Sequence, residues 1–278
     1  MGQTFSYWEQ LSFLSGFDVV IIGSGIVGLS VALHLKDRRP SLRVGILEAG
    51  FLPSGASTKN AGFACFGSIS EAIDEIKRSG EDNFLQLVEM RWKGLEKLRT
   101  NLSDSAIDFH QYGGYEIFKE SEKHLANECI DHIEYINALL KPIIGKHDIY
   151  AVSNAKIADF GFCGVNNIIE NKYEGQIDTG KRITAMISKV AGSGVQIFNN
   201  CRVQEVGQAE NEHIIQTNHG DFNAKAVILA TNAFARDLLP ELDVIPGRGQ
   251  VLVTEPIMNL KLKGTFHYNR GYTIFPEY

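Results

Sequence analysis

The chain has 278 residues, of which 44% are hydrophobic and 22% are charged, the composition of a globular protein with one or two domains. Its formal net charge is −6 and its longest basic cluster is KDRR at residues 36–39, which argues against a nucleic-acid-binding surface. The sequence contains no run of about 18 uncharged apolar residues, so it predicts no membrane span. Residues 1–17 lack the pattern of a secretion signal, and we therefore expect a cytoplasmic protein.

The first predicted element is a strand followed by a glycine-rich turn, within FDVVIIGSGIVGLSVALHLKD at residues 17–37. The branched apolar run at residues 19–22 is typical of a strand buried on both faces. Gly23, Gly25 and Gly28 follow with the spacing GxGxxG. The first glycine permits a tight turn, the second lets the backbone approach a diphosphate, and the third lets a helix pack closely on the strand. The positive end of that helix would face the phosphates.

The helix after the turn leads to a second strand that ends in an acid. Helical spacing puts Val27, Val31 and Leu35 on one face, which we predict to pack on a sheet. The second strand, within LRVGILEAG at residues 42–50, reaches Glu48 twenty residues after the last glycine. An acid there accepts hydrogen bonds from ribose hydroxyls and repels a 2′-phosphate, which disfavours NADP. The pattern predicts a dinucleotide site; the alternative is an ordinary βαβ unit without a ligand.

The segment PSGASTKNAGFACFGS, at residues 53–68, is rich in small side chains. Such residues let the backbone lie against a flat, bulky ligand, and Ser57, Thr58 and Asn60 supply polar groups. A ribityl chain and an isoalloxazine ring need this kind of surface more than a nicotinamide does. The alternative is a flexible glycine–serine loop, but Phe63 and Phe66 are unusual in one.

Residues 71–173 interrupt the nucleotide-binding pattern. Apolar residues at helical spacing predict a long helix between residues 84 and 102, and GGYEIF at residues 113–118 predicts a strand. A second helix is predicted over residues 122–140, ending near Pro142 because proline interrupts helices. We interpret this insertion as part of a substrate domain.

The chain then returns to strands and helices of the nucleotide-binding type. Thr179 is predicted to cap a helix, and HIIQTNHGDF at residues 213–222 predicts a hairpin turning at residues 218–220. AVILAT at residues 226–231 is another strand buried on both faces, and ligands bind beyond the carboxyl ends of such strands. The residues at that end are Ala230, Thr231 and Asn232.

Neither the cysteines nor the histidines predict a metal site. The four cysteines, Cys65, Cys129, Cys163 and Cys201, are widely separated, and we interpret them as buried free thiols of a reducing compartment. The eight histidines lack metal-ligand spacing, and no Ser-His-Asp or Cys-His signature is present. His267 is the one late histidine, and it is a candidate base if the substrate were a sugar or polyol.

Taken in order, these segments resemble the FAD-dependent amine and amino-acid oxidoreductases related to D-amino-acid oxidase, glycine oxidase and sarcosine oxidase. The segments that carry the resemblance are DVVIIGSGIVGLSVALHL, GILEAG, SGASTKNAGF, EGQIDTGKRITAMISKVAGSGVQIFNNCRVQEV, AKAVILATNAFA and IPGRGQVLVTEP. The resemblance implies an α/β fold with an α+β substrate part: a Rossmann-like FAD-binding domain of the glutathione-reductase type with an inserted mixed-sheet substrate domain. The FAD-binding domain would comprise residues 1–70 and 175–240, and an incomplete substrate domain residues 71–174 and 241–278.

The resemblance also implies FAD as cofactor and assigns its contacts. These are Gly23, Gly25, Ile26, Gly28, Glu48, Ala49, Ala56, Ser57, Thr58, Asn60, Ala61, Gly62, Val203, Ala230, Thr231 and Asn232. Val203 would meet the adenine through its backbone, and Asn232 stands where many relatives have glycine. The implied reaction is hydride transfer from the α-carbon of an amine to flavin N5, giving an imine that water hydrolyses.

On the substrate side, FHYNRGYTIFPEY offers Tyr268, Arg270 and Tyr272. An arginine would bind a substrate carboxylate. In relatives an arginine commonly follows the last strand, whereas here that place holds Glu277, which would suit a cationic amine. The electron acceptor would be O2 or a quinone or carrier, and a homodimer is conceivable.

The chain ends at Tyr278, whereas relatives continue through a further strand and a glycine-rich segment, so we expect it to lack the C-terminal part of the family. Two alternatives to an amine-oxidising flavoenzyme stay open. One is a NAD-dependent dehydrogenase, and the other is a shortened, non-catalytic protein that keeps the nucleotide fold.

Overall fold

The structure is a computed structural model that describes residues 5–247, 249, 250, 252, 254, 255, 257–270 and 273–276, the last four by their backbone alone. The α-helices are α1 (Tyr7–Glu9), α2 (Ile26–Arg38), α3 (Ile69–Ser79), α4 (Glu81–Leu102), α5 (Asp104–Ile107), α6 (Lys123–Asp131), α7 (Ile133–Ile144), α8 (Lys156–Phe160) and α9 (Thr179–Gly192). A π-helix spans Gln10–Leu14, and 3-10 helices span Ala56–Thr58, Glu120–Glu122 and Asn232–Asp237.

The strands, in chain order, are β1 (Phe17–Ile22), β2 (Val44–Leu47), β3 (Phe63–Ala64), β4 (Gly114–Lys119), β5 (Tyr150–Val152), β6 (Val165–Asn171), β7 (Gly175–Gln176), β8 (Gln196–Phe198), β9 (Val203–Gln208), β10 (His213–Thr217), β11 (Gly220–Leu229), β12 (Thr265–Tyr268) and β13 (Thr273–Pro276). The chain divides into two compact units. The first comprises Met1–Asn60 and Ile183–Val251, and the second comprises Ala61–Arg182 and Leu252–Tyr278.

The first unit contains a six-stranded sheet in the order β8-β2-β1-β11-β10-β9. Strands β8, β2, β1 and β11 are parallel, and β10 and β9 continue the sheet antiparallel. The predicted strand at residues 19–22 and the predicted hairpin at residues 213–222 are both confirmed. In register, Ile22 lies between Leu47 and Leu229, so the carboxyl ends of β1, β2 and β11 meet at one edge of the sheet.

The second unit contains a five-stranded mixed sheet in the order β13-β12-β4-β6-β5 and a separate pair, β3-β7. Alternate residues of β4 face opposite sides of the sheet. Phe118 lies in a core with helices α3, α4, α6 and α7, whereas Tyr115 and Ile117 pack with Phe266 of β12. Glu116 shares the side of Phe118 and is 3% exposed, an unusual place for a carboxyl group. The predicted α/β fold with mixed sheets is confirmed by this topology.

The packed face of α2 differs from the prediction. Val27 is 62% exposed, and Val31 and Leu35 are only partly buried. The buried stripe is instead made by Gly28, Leu29, Ala32 and Leu33. Because Gly28 must lie against the strand, its neighbours one helical turn along face the sheet with it, and the valine beside it is turned away.

Three helix boundaries also differ from the prediction. The single helix expected over residues 122–140 is two helices that break at His132. Helix α7 continues past Pro142 to Ile144 and is followed by Gly145, where φ is +73°. Pro142 lies in the last turn of α7, and glycine in the left-handed conformation ends the helix. At α9 the capping group is the Asp178 carboxylate, which accepts the N–H of Lys181 at 2.8 Å, so Thr179 is the first helical residue rather than the cap.

The four cysteines are free thiols, as expected, but they are not all buried. Cys129 and Cys201 are buried, Cys65 is partly buried, and Cys163 is exposed on the loop after α8. Burial raises the pKa of the Cys129 thiol well above its ordinary value, so this thiol stays protonated and acts as a small apolar core residue.

Candidate cofactor and substrate sites

The glycine turn after β1 brings backbone atoms closer together than side chains would allow. Gly23 has φ +106°, and a Cβ on it would lie 2.7 Å from the carbonyl oxygen of Ala230. A Cβ on Gly28 would lie 2.0 Å from the carbonyl oxygen of Gly23. The first turn of α2 therefore packs directly on the turn. The N–H groups of this first turn have no acceptor within the helix, and they lie at the edge of the sheet where β1, β2 and β11 end.

Ser57 already provides an oxygen acceptor to this helix end. Its hydroxyl oxygen accepts the N–H of Ile26 at 2.9 Å. A Cβ on Gly25 would lie 2.9 Å from the same oxygen, so only glycine allows this approach. The 3-10 helix that holds Ser57 is tied by the Asn60 amide, which donates to the carbonyls of Ala56 and Ser57 at 3.1 and 2.9 Å. The α2 N-terminus thus donates to an oxygen atom of the chain, and helix N-termini favour the oxygen atoms of phosphate groups for the same reason.

Glu48 follows β2 and is tied to the same turn. Its Oε2 accepts the backbone N–H of Ser24 at 3.0 Å and the Ser24 hydroxyl at 2.7 Å, while its Oε1 accepts the N–H of Gly50 at 2.9 Å. The backbone of Glu48 also pairs with the chain that leads into β9: Cys201 donates to its carbonyl at 2.8 Å. This pairing brings the segment just before Val203 beside Glu48. The sequence analysis did not predict that Ser24 would hold Glu48, although its position between Gly23 and Gly25 places it in the same turn.

The end of β11 supplies the third part of this edge. The N–H of Ala230 donates to the carbonyl of Ile22 at 2.8 Å, which fixes the end of β11 beside the turn. The Thr231 hydroxyl is buried and has no hydrogen-bond partner among the described residues. Asn232 has φ +48°, the left-handed conformation that favours glycine, and this agrees with the expectation of glycine there in relatives.

These features of the first unit fit a dinucleotide such as FAD. A helix N-terminus favours phosphate, a carboxylate at the end of β2 favours ribose hydroxyls, and a buried hydroxyl without a protein partner favours a polar ligand atom. Ala61 and Gly62, which are also predicted contacts, lie in the second unit, where the Gly62 carbonyl accepts the N–H of Ile177 at 2.8 Å.

The candidate substrate residues lie on and after β12. Tyr268 is the last residue of this strand, and the Lys119 ammonium lies 4.6 Å from the centre of its ring. Arg270 has φ +55°, is exposed, and forms an ion pair with Asp74 of α3. Tyr272 and Glu277 lie outside the described residues. The guanidinium predicted to bind a substrate carboxylate is thus already engaged by a carboxylate of the chain.

The second unit buries two carboxyl groups that sequence reasoning missed. Burial raises the pKa of Glu116 to about 7 and the pKa of Glu174 to about 8. Glu116 accepts the N–H of Ser70 at 3.1 Å and also the Ser70 hydroxyl. Both acids lie beside His267, which is 5% exposed and whose ring nitrogens have no hydrogen-bond partner among the described residues. Burial lowers the pKa of His267, which keeps it neutral.

The described residues show neither a metal centre nor a membrane-spanning helix. They contain no group of three or more His, Cys, Asp or Glu side chains placed to hold a metal ion. Even the longest described helix, α4, lacks the apolar character that a membrane crossing needs, and no other described helix is a candidate.

Comparison with known proteins identifies the family of the chain. The family model DAO, described as FAD dependent oxidoreductase, matches residues 18–277. Gamma-glutamylputrescine oxidoreductase of Escherichia coli K12 is 28% identical over 249 residues, which are 86% of this chain and 55% of that protein. Glycine oxidase of Geobacillus kaustophilus is 25% identical over 289 residues, which are 94% of this chain and 67% of that protein. The chain thus spans from about half to two thirds of the length of these relatives.

The fold comparison agrees. The crystal structure of glycine oxidase from Bacillus cereus matches with a TM-score of 0.66 at 22% identity, and the match covers 92% of this chain and 68% of that one. At this identity the match shows the fold alone, and that fold is the one predicted from the sequence. Because the family model spans nearly the whole sequence, the chain belongs to the DAO family of FAD-dependent oxidoreductases, whose cofactor is FAD.

Proposed function

We propose that the protein oxidises the C–N bond of an amino acid or amine to an imine, with N5 of bound FAD as the acceptor of the hydride. The observation that carries the proposal is the edge of the first sheet. There the α2 N-terminus, the Glu48 carboxylate and the buried Thr231 hydroxyl follow three adjacent parallel strands. Ligands of doubly wound sheets bind at such an edge.

The chain's own residues would bind and orient the cofactor. The N–H groups of the first turn of α2 favour the diphosphate, and Glu48, held by Ser24 and Gly50, presents a fixed carboxylate to the ribose. Val203, Ala230 and Asn232 would contribute backbone contacts. The first unit would then be the FAD-binding domain, and the second unit the substrate domain.

The substrate side favours an amine over an α-amino acid. Tyr268 and Arg270 are the described candidates for substrate contact, with Tyr272 as the third predicted residue. Because Asp74 engages the Arg270 guanidinium, a substrate carboxylate would have to displace it. An amine without a carboxylate meets no such competition. We propose O2 or a quinone or carrier as the final electron acceptor and the cytoplasm as the location.

The test is to purify the protein, record its visible spectrum, and identify the flavin released on denaturation. We then expect anaerobic addition of amines without a carboxylate to bleach the flavin band, and matched α-amino acids to bleach it more slowly. A spectrum that no amine or amino acid bleaches contradicts the proposed reaction while leaving the cofactor. A colourless protein that takes up NAD instead of FAD supports a dehydrogenase, and one that takes up neither supports a non-catalytic protein.

A further inference from the structure

Glu174 is a buried acid whose side chain holds a distant stretch of backbone. It lies between β6 and β7 and is 1% exposed. Its Oε1 accepts the N–H of Phe66 and the N–H of Gly67, each at 3.0 Å. Buried backbone N–H groups without an acceptor are costly, and here one carboxyl oxygen satisfies two neighbouring donors. Removing that oxygen would therefore free this backbone to move.

The same stretch is held along its other groups. Upstream, β3 pairs with β7, and the Gly62 carbonyl accepts the N–H of Ile177 at 2.8 Å. Downstream, the Gly67 carbonyl accepts the Tyr150 hydroxyl at 2.6 Å, and the Phe66 carbonyl accepts Nη1 of Arg91 at 3.2 Å. Residues 61–67, which we name the flavin-side segment, begin with the predicted FAD contacts Ala61 and Gly62. Glu174 is the acceptor for both of the backbone donors at the far end of this segment.

The Glu174 carboxyl group is closely surrounded by residues of β4 and β12. A Cβ on Gly114 would lie 2.0 Å from Oε2 of Glu174, so β4 must have glycine there for the carboxyl group to fit. Oε2 also lies 3.9 Å from Nε2 of His267 on β12. The carboxyl group is thus packed between the five-stranded sheet of the second unit and the flavin-side segment. Its burial favours the neutral acid, for which glutamine is a close substitute in shape and acceptor.

We propose that Glu174 is a positioning residue for FAD: by holding the N–H groups of Phe66 and Gly67, it sets the backbone on which Ala61 and Gly62 meet the cofactor. The inference rests on the proposed function. It adds a residue outside the glycine motif and outside the predicted contacts. It also explains why an acid is buried where no Lys or Arg among the described residues forms an ion pair with it.

The experiment compares Glu174→Gln, Glu174→Leu and Glu174→Asp with two control variants, Glu116→Gln and Glu116→Leu. Glutamine keeps the acceptor, leucine keeps the volume without it, and aspartate withdraws the acceptor by one methylene. Glu116 is an equally buried acid of the same unit that holds Ser70 instead, so its variants measure general destabilisation. The readouts are hydrogen exchange of a peptide covering residues 62–68, the dissociation constant of added FAD, and the visible circular dichroism of bound FAD.

We expect Glu174→Leu to speed exchange of the two amides roughly tenfold or more, to weaken FAD binding by a similar factor and to change the flavin dichroism. In Glu174→Gln all three readouts should be close to those of the wild type. Glu174→Asp should give an effect between those of glutamine and leucine, and it takes the place of the leucine variant if that variant does not fold. The two Glu116 variants should leave the flavin readouts unchanged. Equal flavin effects in Glu116→Leu, or normal FAD binding and dichroism in both Glu174→Leu and Glu174→Asp, overturn the inference. A wild-type protein that takes up no FAD would contradict the proposed function instead. Amide exchange would then still report whether Glu174 holds the backbone N–H groups of Phe66 and Gly67.

Discussion

Glu48 is the residue on which cofactor retention should depend most. Its two oxygens accept three hydrogen bonds from Ser24 and Gly50, so the carboxylate is fixed before any ligand arrives. We expect Glu48→Ala to weaken FAD binding roughly tenfold to a hundredfold, because hydrogen bonds to a charged group are worth about 1.5–3 kcal/mol. Fluorescence titration of the stripped protein with FAD measures the change.

Ser24→Ala is the matched control for this prediction, since it removes one of the three bonds to Glu48 and leaves the carboxylate in place. Its effect on FAD binding should be several-fold smaller than that of Glu48→Ala. Unchanged FAD retention in Glu48→Ala would remove the proposed ribose role.

How far the sequence predicts the site depends on whether a residue's partners are local. Gly23, Gly28 and Glu48 belong to one strand–helix–strand unit, so their spacing alone indicates a dinucleotide site. Glu174 contacts Phe66 and Gly67, which are more than 100 residues away in sequence, and a pattern of polar and apolar residues does not predict a contact of this kind. Its burial as a neutral acid emerges only from the folded second unit.

At the scale of elements, helix α2 is packed on its turn so closely that a methyl group does not fit. We expect Gly28→Ala to lower the melting temperature and to weaken FAD binding, because the new Cβ would lie 2.0 Å from the backbone oxygen of Gly23. Thermal unfolding followed by circular dichroism, with FAD titration in parallel, measures both effects.

Gly94→Ala in α4 is the control, since nothing lies within 4 Å of a Cβ there. In a helix interior alanine is favoured over glycine by about 1 kcal/mol, so this variant should be more stable than the wild type. A Gly28→Ala protein that is as stable as Gly94→Ala would contradict the close packing of α2 on the turn.

Helices and strands were predicted correctly where the sequence pattern is compatible with only one type of element. The doubly buried apolar runs of β1 and β11 and the hairpin between β10 and β11 have the predicted type and place. The packed face of α2 does not, because Val27 and Leu29 are equally apolar and only the close approach at Gly28 decides which of them faces the sheet. Helix α7 runs two residues past Pro142, because a proline removes only its own i→i−4 hydrogen bond and Gly145, in the left-handed conformation, is what ends the helix.

At the scale of the whole molecule, the buried acids of the second unit make stability depend on pH. Burial raises the pKa of Glu116 to about 7 and that of Glu174 to about 8, from an ordinary 4.5. The folded protein therefore keeps two protons that the unfolded chain releases above that value, and stability falls as the pH rises through the folded pKa values. Burial lowers the pKa of His267 from 6.5, which has the opposite effect, but only below that pH.

Between pH 6.5 and 8.5 the free energy of unfolding should therefore fall by about 3 kcal/mol. Each acid contributes about 1.4 kcal/mol per pH unit until its folded pKa is passed, over half a unit for Glu116 and one and a half units for Glu174. Urea unfolding at the two pH values and equal ionic strength measures the fall. The double variant Glu116→Gln, Glu174→Gln keeps both acceptors but cannot ionise, so its stability should stay level over this range. A wild-type protein that is equally stable or more stable at pH 8.5 would show that these carboxyl groups are already ionised at pH 6.5 in the folded protein.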